Sequence, residues 1–251
     1  MTAGTINHGL QIVRHILNLA AGEWVDNQGL TWLHVAHKIK LLPSTNKRQP
    51  YPLSWEEQAR LFAELPDHFA AMALFAVNTG CRDREVCGLR WEWEVKVPEL
   101  STSAFIIPGA RVKNGQDRLV VLNGAAMAVV EGRRSHHATH VFDFAGRPMT
   151  TMLSSVWRKA RVRAGLERLR VHDLKHTFGR RLRAVGVSFE DRQDLLGHRS
   201  GRTTTHYSAP ELVRLIEAVE RVSAQGEKQP ELLVLRGAIQ GGSRKTHAKM
   251  R

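Results

Sequence analysis

Cysteine is almost missing from this sequence: Cys81 and Cys87 are the only two, six positions apart. That spacing suits neither a disulfide framework nor a zinc knuckle, and it predicts reduced thiols in a cytoplasmic setting. Long apolar runs are missing too. The longest, Phe69 to Val77, is far too short to span a bilayer, and the N-terminus lacks the charged-then-apolar pattern of a secretory signal. No membrane partner is expected. Acidic residues are the third shortage, with 24 Asp and Glu against 37 Lys and Arg, a formal charge of +13 and a sequence pI near 10.5. Such a balance favours a polyanionic partner, with nucleic acid the first candidate. Tyrosine is the fourth: the chain has two, Tyr51 and Tyr207. What remains, 251 residues with 42% hydrophobic content, is enough for a large globular domain with a small appendage.

Patterning along the chain is mainly helical. Thr5 is placed to cap a helix reaching about Ala21, with Ile6, Leu10, Val13, Leu17 and Ala20 as its apolar stripe. Three prolines between Lys40 and Pro52, beside Lys47-Arg48, read as a linker. Ser54 and Glu57 then form a capping-box pattern that opens a helix to about Leu65. His68 to Asn78, apolar on nearly every face, predicts a buried helix ended by Thr79-Gly80. Strands are expected at Ala104 to Pro108 and Arg118 to Leu122, joined by a tight turn at Asn114-Gly115. Helical patterning resumes at Gly124 to Glu131, Met149 to Ala164, Val171 to Ala184, Ser188 to Leu196 and Pro210 to Val222. The fold class expected is therefore mainly α with a small antiparallel β-sheet. From Gln225 onward the composition predicts a flexible basic tail; its last eleven residues hold four basic and no acidic side chains.

Two readings compete for Val171 to Arg181, V-H-D-L-K-H-T-F-G-R-R. His172 and His176 at i and i+4 share a helical face, as zinc-binding histidines do. A catalytic zinc would also need a third ligand and an open position, and Asp173 stands where a glutamate base would be expected. The alternative is packing, or membership of a different site.

The order of motifs favours a different site. Thr79-Gly80-Cys81-Arg82, Glu85 and Leu89-Arg90-Trp91 come first, followed by Lys113 at the hairpin. His172-Asp173-Leu174-Lys175-His176-Thr177-Phe178 follows, then Leu196-Gly197-His198, and Tyr207 nine residues further on. Over residues 50 to 222 this series resembles the tyrosine recombinase (phage integrase) family. The resemblance implies DNA strand exchange without a metal or other cofactor. Tyr207 would attack a scissile phosphate to give a 3′-phosphotyrosyl link and a free 5′-hydroxyl. Arg82 would grip the phosphate with its planar fork, with Glu85 to aim it. Lys113 would protonate the leaving oxygen, while His172 and His198 would contact phosphate or handle the tyrosine proton, ordinarily held to a pKa of about 10. His176 would pack behind His172, and Asp173 would cap the helix start.

The sequence departs from the family pattern at two points. The family's second arginine falls on Lys175, which keeps the charge but loses the fork. Only about 45 residues precede the linker, room for the last helix or two of the family's core-binding domain. The expected organisation is therefore 1–45 as a remnant of that domain, 46–53 as linker, 54–222 as catalytic domain and 223–251 as tail. The partners implied are double-stranded DNA, further copies of the chain in a homotetramer on DNA, and accessory DNA-bending factors. The Pro210 to Val222 helix would either pack on its own domain or dock on a neighbouring protomer. Eight basic side chains between Arg161 and Arg183, against Glu167 and Asp173, are expected to track the DNA backbone. The rival reading is a catalytically impaired DNA-binding remnant of such an integrase.

Overall fold

The computed structural model describes residues 1–43, 48–100, 102–197 and 209–224. His198, Tyr207, the first two residues of the expected 46–53 linker and the tail beyond 224 lie outside the described residues. The chain separates into two compact units, Met1–Gln49 and Pro50–Arg251.

The first unit carries α1 (Ala3–Gly22). Its cap is Thr2, whose hydroxyl accepts from the Thr5 backbone N–H at 3.3 Å, so the helix starts earlier than the expected Thr5 cap. Of its apolar stripe only Ala20 is buried. Asn7 ties the helix to a following extended segment by a pair of bonds to the Leu42 backbone, 2.8 and 2.7 Å.

The second unit opens with α2 (Trp55–Ala63), and its start is the one the sequence predicts. Ser54 Oγ accepts from the Glu57 N–H at 3.0 Å, and the Glu57 carboxylate accepts from the Ser54 N–H at 3.0 Å. The next helix, α3 (Asp67–Thr79), is apolar all round because it runs through the core. Phe75, Met72 and Val77 are fully enclosed. Gly80 ends it at φ 64°. A Cβ there would stand 2.7 Å from the Phe178 ring, so both backbone angle and space require glycine. The short α4 (Asp83–Cys87) follows.

The sheet has three antiparallel strands rather than the two expected: β1 (Glu94–Val97), β2 (Thr102–Ile107) and β3 (Arg118–Val121). Ala104 faces Val121 across the β2–β3 pair and Ile107 faces Arg118. The connection is also longer than a tight hairpin. A 3-10 turn over Gly109–Arg111 precedes Lys113 and Asn114, and the loop closes on itself where Gly109 N–H meets the Asp117 carboxylate at 2.7 Å. A Cβ on Gly109 would lie 2.5 Å from the Gly115 carbonyl oxygen, which is why glycine stands at that neck.

Then come α5 (Gly124–Gly132), a small ladder of β4 (Asp143–Phe144) and β5 (Arg147–Pro148), and α6 (Ser155–Arg163). The expected helix from Met149 instead begins at Ser155. The carboxylate of Asp83 holds the preceding segment out of the helix, accepting from the Thr151 hydroxyl at 2.7 Å and the Met152 N–H at 2.6 Å. The last elements are α7 (Val171–Ala184), α8 (Phe189–Leu195) and α9 (Ala209–Ala224). On α9, Leu215, Ala218, Val219 and Val222 are buried in a cluster with Phe178 and Leu182 of α7 and Val121 of β3. This helix thus packs on its own domain.

Candidate active site

The site assembles around a buried carboxylate. Arg82 follows the Gly80 turn, and Glu85 lies in the first turn of α4. Glu85 accepts from the Arg82 backbone N–H at 2.8 Å and from Arg82 Nη1 at 2.6 Å. Its other neighbour is Arg118 at the start of β3, which donates through Nη1 to Glu85 Oε2. Burial of Glu85 would raise its pKa, but the Arg118 and Arg82 charges outweigh that and hold the carboxyl below its usual range. Glu85 therefore aims Arg82, as expected. Arg82 stays partly open, with 24% of its side chain exposed, so its guanidinium remains available to an anion.

Helix α7 brings the second group. Asp173 secures its start, accepting from the Arg170 N–H at 2.9 Å and from the Tyr51 N–H at 3.2 Å. Asp173 is thus the helix cap the sequence suggested, fully buried. Two residues on, Lys175 points inward and donates through Nζ to the Leu196 carbonyl. Burial comes first, then the Arg118 and Arg82 charges, in pushing its ammonium down to about 7; Glu85 and Cys81 act weakly the other way. His172 reaches solvent on the same helix, its pKa lowered by partial burial and by His176, Lys175 and Arg82. The His172 and His176 rings meet edge to face, 4.8 Å between centroids. Among the described residues no three His, Cys, Asp or Glu groups converge as a metal site.

Arg82, His172 and Lys175 thus share one electrostatic neighbourhood. Lys113 is exposed on the β2–β3 loop, and among the described residues no hydrogen bond joins it to that group. His198 and Tyr207 lie outside the described residues. Tyr51, the other tyrosine, donates its hydroxyl to Glu57 at 2.6 Å and serves the α2 start.

The basic run of 161 to 183 is not one face. Arg161 bonds the Leu169 carbonyl at 2.6 Å, Arg163 pairs with Glu64, and Lys175 is buried. Arg181 lies 3.4 Å from the Trp55 ring centre, its pKa pushed down to about 9 by burial. Arg168, Arg180 and Arg183 remain exposed. Sequence reasoning also missed Arg118, read only as the first residue of a strand; a lone cation opening the apolar run Leu119-Val120-Val121 was the available signal.

Residues 53–212 match the profile of the phage integrase family. The chain belongs to that family. This integrase-family chain is 27% identical over 212 residues to the integrase of Salmonella phage P22, covering 79% of this chain and 52% of that protein. It is 27% identical over 194 residues to tyrosine recombinase XerA of Pyrococcus furiosus, covering 72% and 65%. The chain therefore spans between half and two thirds of the length of these relatives. The fold matches the site-specific recombinase XerH bound to a palindromic difH substrate in a post-cleavage complex. There the TM-score is 0.60 and the identity 17%, over 85% of this chain and 64% of the other. A helix-rich domain with a small antiparallel sheet is thus the family's fold as well as this chain's. Among the described residues no helix is long and apolar enough to cross a membrane.

Lys175 makes stability depend on pH. Unfolded lysine keeps its proton to about 10.4, whereas the folded side chain releases it near 7. Between those values folding expels a proton, so rising pH favours the folded state. Thermal melts from pH 7 to 8.5 should show midpoints rising for the unmutated chain and flatter for Lys175→Met. The window stops there because the buried Cys81 and Cys87 thiols, raised by burial, act oppositely at higher pH. Parallel curves for the two proteins would refute the buried-ammonium account.

Proposed function

We propose that this chain is a site-specific DNA recombinase that cuts and rejoins double-stranded DNA through a 3′-phosphotyrosyl intermediate, in integrating or excising a prophage or other mobile element. The observation that carries this reading is the Arg82–Glu85 pair. A partly open guanidinium is aimed by a buried carboxylate, within the electrostatic reach of Lys175 and His172, in a domain matched to the integrase family.

The chemistry follows from these groups. Tyr207 Oη attacks the scissile phosphorus while its proton passes to a histidine, His172 or His198. The P–O5′ bond breaks, and Lys113 gives a proton to the departing 5′-oxygen. Arg82, Lys175 and the histidines stabilise the charge on the non-bridging oxygens. Attack by a 5′-hydroxyl on the phosphotyrosine reverses the step, rejoins the strand and frees the tyrosine. No metal or organic cofactor enters this scheme. The working unit is a homotetramer on two duplexes, in the cytoplasm, aided by accessory DNA-bending factors. Residues 54–222 form the catalytic domain, 1–45 the end of a core-binding domain, 46–53 its linker and 223–251 a basic tail.

Lys175 favours a second reading, a DNA-binding remnant with impaired catalysis. Its ammonium is engaged with the Leu196 carbonyl and titrates near neutrality, and it lacks the fork of an arginine. One experiment separates the readings: incubation in EDTA with a nicked suicide duplex carrying the element's own attachment site, followed by peptide mapping of any adduct. A covalent product mapped to Tyr207 is expected. Salt-sensitive DNA retention without an adduct under any condition would select the remnant.

A further inference from the structure

Arg118 is a buried charge with four hydrogen bonds, and nothing in the chemistry above uses it. Only 2% of it is exposed, and a guanidinium so buried is costly where its donors are unmet; Nε has no hydrogen-bond partner among the described residues, whereas both Nη atoms are engaged. Nη1 donates to Glu85 Oε2. Nη2 points at three carbonyl oxygens, Gly80 at 3.0 Å, Thr79 at 3.2 Å and Leu195 at 3.4 Å. The first two lie in the turn that presents Arg82, and the third closes α8 just before Gly197.

The stem of Arg118 is engaged as well. A Cβ on Gly197 would stand 2.8 Å from both Cδ and Nε of Arg118. Gly197, at φ 56°, thus lets the backbone lie flat against this side chain, immediately before His198 in the sequence. Arg118 also begins β3 directly after the loop that carries Lys113. Three segments bearing the site's residues are therefore spaced by one side chain. Lysine could not do this, because a single ammonium has no planar fork to serve a carboxylate and a set of carbonyls at once.

We propose that Arg118 is a positioning residue for strand cleavage: it holds Glu85 so that Arg82 is aimed, and it sets the spacing between the Arg82 turn and the Leu195–Gly197 turn that leads to His198. The inference rests on the recombinase reading above. It differs from a simple buried ion pair in what it predicts. An ion pair that only stabilises the fold would cost melting temperature and leave the reaction of the folded protein unchanged.

The test compares unmutated chain, Arg118→Met and Arg118→Lys in single-turnover adduct formation on the nicked suicide duplex at saturating protein, with melting and DNA affinity measured alongside. Arg118→Met is expected to bind DNA within about threefold of the unmutated chain and to form adduct about 100-fold more slowly, the usual consequence of a misplacement near 1 Å. Arg118→Lys should recover only part of that loss. The pH profile adds an independent sign. Arg118's charge depresses Lys175, so in Arg118→Met the lysine keeps its proton longer and the basic limb of the rate profile moves to higher pH. In Arg118→Lys, which retains the charge, the limb stays.

If Arg118→Met fails to fold, Arg118→Lys decides: a rate equal to the unmutated chain's overturns the assignment. So does any folded variant that melts lower yet reacts at the same rate. An unmutated chain that yields no adduct overturns the recombinase reading and this assignment together. An active unmutated chain beside an equally active Arg118→Met overturns the assignment alone.

Discussion

Tyr207→Phe is expected to abolish covalent adduct formation while leaving DNA affinity within about twofold, because one hydroxyl adds little to an interface dominated by phosphate contacts. The loss should be about 10⁴-fold or more, since a missing nucleophile has no substitute among groups that only stabilise charge. Tyr51 cannot replace it. Its hydroxyl is committed to Glu57 at 2.6 Å, and its backbone N–H is bonded to the Asp173 carboxylate. Gel retention and suicide-duplex trapping in parallel make the measurement. An adduct persisting in Tyr207→Phe would move the nucleophile elsewhere and end the present reading.

Arg82→Ala should give the second-largest effect, a fall of about 10²- to 10³-fold in the single-turnover rate, the range seen when one preorganised donor to a developing charge is removed. Stability should change little. The side chain is partly exposed, and Glu85 keeps its pairing with Arg118, so removal of Arg82 does not leave a buried carboxylate alone. Arg82→Lys should restore less than half of the lost activation free energy, because the ammonium cannot span two phosphate oxygens. Rates of adduct formation for the three proteins, read beside melting curves, check the argument. A large loss of melting temperature in Arg82→Ala would make the residue a structural one.

How far the sequence could be read depended on the range of the interactions involved. Ser54 with Glu57 announced α2, and the Gly80 stop ended α3 as expected, because caps and left-handed glycines act within a few residues. Asn114-Gly115 misled: the pair suggests a two-residue turn, but a 3-10 turn at Gly109–Arg111 and the Asp117 contact make a longer loop. Strand β1 escaped notice because Glu94-Val95-Lys96-Val97 is short and half charged, and it exists only by pairing with β2. Met149 to Ser154 reads as the start of a helix, yet Asp83, far away in the chain, holds it out of the helix.

The site divides the same way. The order of motifs, through its resemblance to the tyrosine recombinase family, was enough to nominate Arg82, Lys113, His172, Lys175, His198 and Tyr207, residue types that suit the nucleophile, acid and charge-stabilising donors of phosphoryl transfer. The sequence alone also determined the mainly helical class, the basic balance and the family. Only the tertiary structure decided that Glu85 would be buried between two arginines, that Lys175 would be pushed down to about 7, and that Arg118 would join turns from opposite parts of the domain. Local patterns report the free energy of neighbouring residues. The cost of burying a charge depends on which distant carboxylate or carbonyl arrives to meet it, and that is settled when the chain packs.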